Sequence, residues 1–268
     1  MSVVSGKLGG VFTSALLIEN CEAAWDELVD GDVTASADST DVKVGAYSAK
    51  FACAAGLGAG DIIAANDIAS KDLSAYKKIY AWVKSSVALD AGDVQLLLDD
   101  TAQCASVLKS LNLPALSANT WTRVLLDLGD ASSLTAVISV GLKQVVDKGA
   151  FNLWIDDIEA LKAIAGIKSW QLDYTVDILD STSFIDAGAR TFSPGSTQWG
   201  GSFEGYKYGA PLSIGTNVIL ALAESATTGQ AWIGNAYISG AHVTSSLDAL
   251  VTYSYDFQGT GSVEVASL

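Results

Sequence analysis

The amino-acid sequence predicts an all-β protein, and three observations carry that expectation. Apolar and polar residues alternate with period two in several segments. Turn residues recur between short apolar runs. Half of the 268 residues are hydrophobic while only 17% are charged. Such a composition supplies material for a sizeable core and argues against a disordered chain. Strict alternation is the pattern of a strand with one buried face. Closely spaced turn signals favour a sandwich or barrel over βαβ units.

In chain order, short strands are predicted at Leu16–Ile18, Ser48–Cys53, Lys78–Val83, Val94–Leu98, Thr120–Asp127, Ala136–Val140 and Phe151–Ile155. Gly, Asp, Ser and Asn cluster between them, which predicts a jelly roll of about eight strands. From Ser169 the alternation is cleaner. Trp170, Leu172, Tyr174, Val176 and Ile178 are apolar, and Gln171, Asp173, Thr175 and Asp177 between them are polar. Trp199 and Phe203 likewise oppose Ser202 and Glu204. Val251, Tyr253, Tyr255 and Phe257 oppose Thr252, Ser254, Asp256 and Gln258, and Ala231–Ile238 is a less regular fourth strand. Each apolar side is predicted to face a core and each polar side to face away from it.

The formal net charge is −15. A chain this acidic is expected to repel nucleic-acid phosphates and anionic membrane. Residues 14–160 hold 10 Lys/Arg against 21 Asp/Glu, and the remainder holds 5 against 9, so the balance shifts near Ala160. The longest apolar run, Asn217–Ala223, is too short to span a bilayer. Residues 1–12 lack the apolar stretch of a secretory signal, so neither a membrane partner nor secretion is expected. Cys21, Cys53 and Cys104 are odd in number and widely spaced, which predicts free thiols in a reducing compartment.

No catalytic residue is expected. His242 is the single histidine and no nucleophile elbow lies near it, so a surface or capping role is predicted. Gly56–Gly60 lacks phosphate-loop spacing and reads as a flexible loop. The pairs Asp26–Glu27, Asp99–Asp100 and Asp156–Asp157 are adjacent in sequence, and neighbouring strand residues point to opposite faces. Such pairs do not present two carboxylates across a cleft, as glycoside hydrolysis requires.

The segments Ile167-Lys-Ser-Trp-Gln-Leu-Asp-Tyr174, Asp180-Ser-Thr-Ser-Phe-Ile-Asp-Ala-Gly188 and Trp199-Gly-Gly-Ser-Phe-Glu-Gly205 come in this order. Gly229-Gln-Ala-Trp-Ile-Gly234, Ala236-Tyr-Ile-Ser-Gly240 and Tyr253-Ser-Tyr-Asp-Phe-Gln-Gly-Thr-Gly261 follow. Together they resemble the tail tube (major tail) proteins of long-tailed bacteriophages. Val3–Phe12 resembles the opening strand of the same proteins, with about 150 residues intervening before Ile164. The resemblance implies a discontinuous tube domain, residues 1–13 with 161–268, interrupted by an inserted domain at 14–160. It further implies a non-enzymatic virion protein, assembled in the host cytoplasm, that forms stacked hexameric rings with copies of itself and meets other tail proteins. In such a ring the polar faces would line the channel for ejected DNA, at Gln171, Asp173, Thr175, Asp177, Ser202, Glu204, Thr252, Ser254 and Asp256. The acids among them would let DNA pass without sticking.

The insert resembles the galactose-binding-like jelly rolls of carbohydrate-binding modules. The likeness rests on Leu17–Glu22 with Trp25, Val44–Lys50, Asp72–Ile79 and Trp154–Ile158. It implies a sandwich whose first strand lies beside its last, decorating the tail exterior. It also implies a structural calcium held by Glu22 and Asp156 with backbone carbonyls; no other cofactor is expected. Host-surface glycans are the implied ligand class if Trp25, Trp82, Trp121 or Trp154 is open for stacking, although Trp82, Trp121 and Trp154 lie in apolar strands and are expected in the core. A surface glycan-binding protein, a capsid decoration protein and a tail terminator are the alternative readings.

Overall fold

A computed structural model describes residues 9–186, 188–225 and 229–267. The protein is all-β: sixteen strands and two short 3-10 turns, with no α-helix among the described residues. The chain divides into two compact units. One comprises residues 9–13, Ile164–Ser225 and Ala231–Val265; the other is in the main Ser14–Ala163.

The Ser14–Ala163 unit contains most of β1 (Gly10–Glu19) together with β2 (Leu28–Val29), β3 (Val33–Asp38), β4 (Ser48–Cys53) and β5 (Ile62–Lys71). Then come β6 (Lys78–Ser85), β7 (Val94–Asp99), β8 (Lys109–Asn112), β9 (Thr122–Asp127), β10 (Val137–Gln144) and β11 (Phe151–Ala163). In one sheet β11 carries β4 and β6 on its two edges, with β3 beyond β4 and β9 beyond β6, and β1 also lies beside β11. The second sheet runs β2-β5-β10-β7-β8. The two sheets enclose a core of Phe51, Ile63, Ile79, Leu96, Leu98, Leu142, Leu153 and Ile155, with Trp25 edge-on to Phe51 at 5.4 Å. Strands β2, β3, β5 and β8 were not legible as strands. β5 begins Ile-Ile-Ala-Ala and does not alternate, because Ile63 and Ala64 enter the main core while Ile62 and Ala65 pack in a second cluster with Leu97 and Cys104.

The tryptophans of this sandwich correct one expectation. Alternation along β6 sends Ile79, Ala81 and Val83 into the core, which puts Trp82 on the opposite face. Trp82 and Trp154 are nevertheless almost buried, because long cationic side chains lie across them. Lys43 and Arg123 cover Trp82, each at 4.6 Å from the ring centroid, and Lys50 and Lys84 cover Trp154 at 5.2 and 5.0 Å. Trp25 is fully buried and Trp121 is half-buried.

The other unit is a six-stranded antiparallel sheet in the order β12-β13-β16-β15-β14-β1, adding β12 (Ile167–Asp180), β13 (Phe192–Tyr206), β14 (Asn217–Ala223), β15 (Gln230–Ser246) and β16 (Ala249–Ser267). Its apolar side gathers Val11, Trp199, Phe203, Leu220, Leu222, Ile238, Tyr255 and Phe257. The sheet curls over this core. Trp170, on β12, donates its indole N–H to the carbonyl of Ala223, four strands away on β14, at 3.3 Å. Gly10–Thr13 of β1 pairs with β14 in the register Gly10↔Ala223 to Thr13↔Leu220. The strand expected from Val3 to Phe12 and the one expected at Leu16–Ile18 are therefore parts of one strand, since Thr13-Ser14-Ala15 contains no Gly, Pro, Asn or Asp to break it. Residues 3–8 lie outside the described residues.

Beyond Tyr174 the alternation of β12 does not find a core. Tyr174, Val176, Ile178 and Leu179 are exposed, as is Phe192 on the facing strand. The reason is topological: β13 continues past the end of its other neighbour's pairing at Gln258, so Tyr174–Asp180 and Phe192–Thr197 form a two-stranded arm.

Candidate functional site

The polar residues singled out in the sequence share one face of this curled sheet. The β12–β13 register places Gln171 opposite Ser202, and the β13–β16 register places Ser202 opposite Asp256. One row along, Ser169, Glu204 and Ser254 are aligned in the same way, and Asp173 precedes them opposite Gly200. Thr252 pairs with Tyr206 at the sheet's end. Gln171, Asp173, Glu204 and Asp256 are exposed, and Ser202, Thr252 and Ser254 are half-buried. Thr175 and Asp177 fall on the arm instead, Asp177 at a register shift between Val176 and Ile178.

The face is less uniformly anionic than the alternation suggested. His242 on β15 lies 2.9 Å from a carboxylate oxygen of Asp256, and Lys168 reaches to 3.8 Å from Glu204. Asp173 accepts a hydrogen bond from the amide of Gln171 at 3.1 Å. His242 is thus an exposed strand residue paired to an acid, a pairing fourteen residues apart in sequence that only strand register reveals.

The two ends of the sheet differ. At one end the arm terminates in a 3-10 turn, Phe184–Asp186, where Phe184 and Ile185 are essentially fully exposed. At the other, the β15–β16 turn exposes Leu247 and Leu250. That these are opposite ends follows from pairing. β13 runs from the arm to Tyr206, and the start of β16 lies beside that far end, where Lys207 N–H donates to the Val251 carbonyl at 2.9 Å. The same end holds a cavity of about 30 Å³ lined by Ile167, Tyr206, Tyr208, Leu212, Tyr253 and Tyr255.

In the Ser14–Ala163 unit, Glu22 and Asp156 converge on the loop between β3 and β4. Glu22 accepts the backbone N–H of Ala46 at 3.0 Å, and Asp156 Oδ2 accepts those of Lys43 and Val44 at 2.8 and 3.0 Å. Gly45 between them has φ +73, and a Cβ there would collide with Glu22 Oε1. Asp156 is fully buried and its Oδ1 has no hydrogen-bond partner. Burial, with the Glu22 charge nearby, holds its carboxyl above the usual carboxylate range despite the two N–H donors. Carboxylate oxygens such as this one are the donors a hard cation prefers. Among the described residues no cluster of three or more Asp, Glu, His or Cys forms, so such an ion would rest on these two carboxylates and on backbone carbonyls.

No family model matches the chain. No curated protein matches it either. Among solved structures, an exo-beta-agarase is similar at 11% identity with a TM-score of 0.37, over 57% of this chain and 25% of that one. The chain thus spans a quarter of the length of that structure, and the likeness is too slight to bear on function.

Sequence reasoning located the polar face and the carboxylate pair but not the arm tip or the tyrosine-lined cavity. Phe184 and Ile185 adjoin one another inside a polar turn, Ser181-Thr-Ser-Phe-Ile-Asp186, and two adjacent large apolar residues there are the signal that marks them.

Proposed function

We propose that the protein is a structural subunit that polymerises head to tail into a hollow tube, as the resemblance to phage tail tube proteins implies. One observation carries the reading: a single curled sheet exposes apolar side chains at two opposite ends and a polar, acid-bearing face between them. Apolar residues exposed in a cluster mark a contact surface. Contacts that use different patches on the two partners close into rings where the rotation between copies closes and extend into filaments where it does not. The arm supports this further, since an isolated two-stranded ribbon is only marginally stable in water and gains stability from a neighbour.

In such a tube the face bearing Gln171, Asp173, Ser202, Glu204, Thr252, Ser254 and Asp256 lines the channel. Its acids repel phosphate at distances below a Debye length of about 8 Å, which favours passage of DNA over binding. Thr175 and Asp177 belong to the arm and act at the junction between subunits. The Ser14–Ala163 unit accompanies each subunit, and a calcium ion held by Glu22 and Asp156 would neutralise its buried carboxylate and pin the β3–β4 loop. The covered indoles of Trp82 and Trp154 give no support to sugar stacking there.

Negative-stain electron microscopy of the purified chain tests the proposal. Rings or hollow tubes are expected. A field of dispersed single particles at every concentration would sink it.

A further inference from the structure

We infer that Ile185, at the tip of the arm, docks into the tyrosine-lined cavity of a second copy of this chain, with Phe184 packing beside it against Tyr208. The inference rests on the self-assembly proposed above and specifies the contact that would drive it.

Three observations carry the docking. The tip presents two large apolar side chains, Phe184 and Ile185, with essentially no cover. The cavity presents the complementary surface: Ile167 and Leu212 with Tyr253 and Tyr255 on its walls, and the more exposed rings of Tyr206 and Tyr208 at its mouth. Tyr255 is held in place there, its hydroxyl accepting the Leu212 N–H at 3.3 Å. The cavity, at about 30 Å³, exceeds the roughly 10–15 Å³ that one water needs on this measure. That suits the branched end of an aliphatic side chain better than an aromatic ring, which assigns Ile185 to the cavity and Phe184 to its rim. An exposed tyrosine ring there offers Phe184 an aromatic partner.

The occupant has to come from another copy. The cavity sits at the base of the β12–β13 hairpin, where Ile167 pairs with Gly205, and the pairing continues, through register shifts at Ile167/Ser169 and Val176/Ile178, to Asp180 opposite Phe192. Thirteen residue steps at about 3.4 Å each carry the tip roughly 40 Å away from the cavity of its own chain. A tip at one end and its receptor at the other is the arrangement that repeats along a filament.

The test uses the full chain with Ile185→Cys and Tyr208→Cys combined, and each alone. The three native thiols are buried and do not compete. Mild oxidation of the double variant is expected to give a ladder of disulfide-linked oligomers on non-reducing gels, and neither single variant should give one. A second arm compares assembly of the Ile185→Asp and Ile185→Leu variants. Aspartate should raise the concentration needed for assembly by at least about tenfold, and leucine should leave it near wild type. Wild-type tubes without a ladder from the double variant, or Ile185→Asp assembling like wild type, would overturn the docking and leave the tube reading standing. A strong dimer from Ile185→Cys alone, meaning tip against tip, would also overturn it. Failure of the wild-type chain to form rings or tubes at any concentration would overturn both.

Discussion

Tyr174 and Trp199 stand directly opposite each other on β12 and β13, yet Trp199 is 3% exposed and Tyr174 52%. This pair marks where the core ends and the arm begins. Trp199 donates its indole N–H to the Gly261 carbonyl at 3.0 Å and packs on Phe257, whereas Tyr174 faces solvent. Trp199→Ala is therefore expected to cost about 3–5 kcal/mol of the stability of this unit. Tyr174→Ala should stay within about 0.5 kcal/mol. Gly259 tests the same packing from the other side, because a Cβ there would fall 2.0 Å from Trp199 Cε2. Gly259→Ala should cost about 1–3 kcal/mol by overpacking. Denaturant unfolding of the three variants checks the ranking, and a Tyr174 variant as unstable as the Trp199 variant would contradict it.

The same pair shows how far the sequence could be read. Alternation reports which residues share a side of a strand, and the registers bear that out for Gln171, Ser202 and Asp256. It does not report whether anything lies on that side. Tyr174, Val176 and Ile178 continue the pattern of Trp170 and Leu172 without a change of composition, but their side chains are exposed, and among the described residues β13 alone pairs with this stretch. In β6 the reverse occurs. Trp82 reads as core, and it is almost buried, but under lysine and arginine stems rather than between the sheets. The Glu22–Asp156 convergence came from a resemblance. The unpartnered oxygen that gives it physical content depends on a loop more than a hundred residues away in sequence, which no local pattern encodes.

Calcium should stabilise the Ser14–Ala163 unit through Asp156. At a hundred times its dissociation constant, a ligand that binds only the folded state adds about 2.7 kcal/mol. Thermal melts of the wild type in calcium and in chelator are expected to differ in midpoint, and Asp156→Asn should abolish the difference. Coincident wild-type midpoints would remove the ion from the account.

Glu159 makes the same unit sensitive to pH. Burial, reinforced by the charge of Asp157 and opposed by a hydrogen bond from Ser14, pushes its carboxyl up from 4.5 to about 7. A folded-state value above the unfolded one means that the folded state holds the proton more tightly. The resulting stability is fully present below pH 4.5 and is lost as pH rises through about 7. Glu159→Gln cannot ionise and should flatten that part of the profile. Denaturation midpoints at several pH values, taken in chelator to keep any metal contribution apart, give the comparison. An unaltered slope in the variant would assign the dependence to another group.

Reversing charge on the polar face separates a channel lining from an ordinary solvated surface. Asp173 and Asp256 are both exposed, and the His242–Asp256 contact is a solvent-exposed one of the kind that contributes little to stability. Asp173→Lys with Asp256→Lys should thus leave folding and assembly intact. If these positions line the bore, the variant tubes hold rings of cations facing inward, where duplex DNA can neutralise them. Retention of DNA should then fall linearly in logarithm with the logarithm of salt concentration, as counterion release requires. Wild-type tubes should retain none. Sedimentation of assembled tubes with short labelled duplexes, thin enough to enter an open end, reads this directly. Longer duplexes circularised beforehand cannot thread, so their retention would place the lysines on the outside and the acidic face with them.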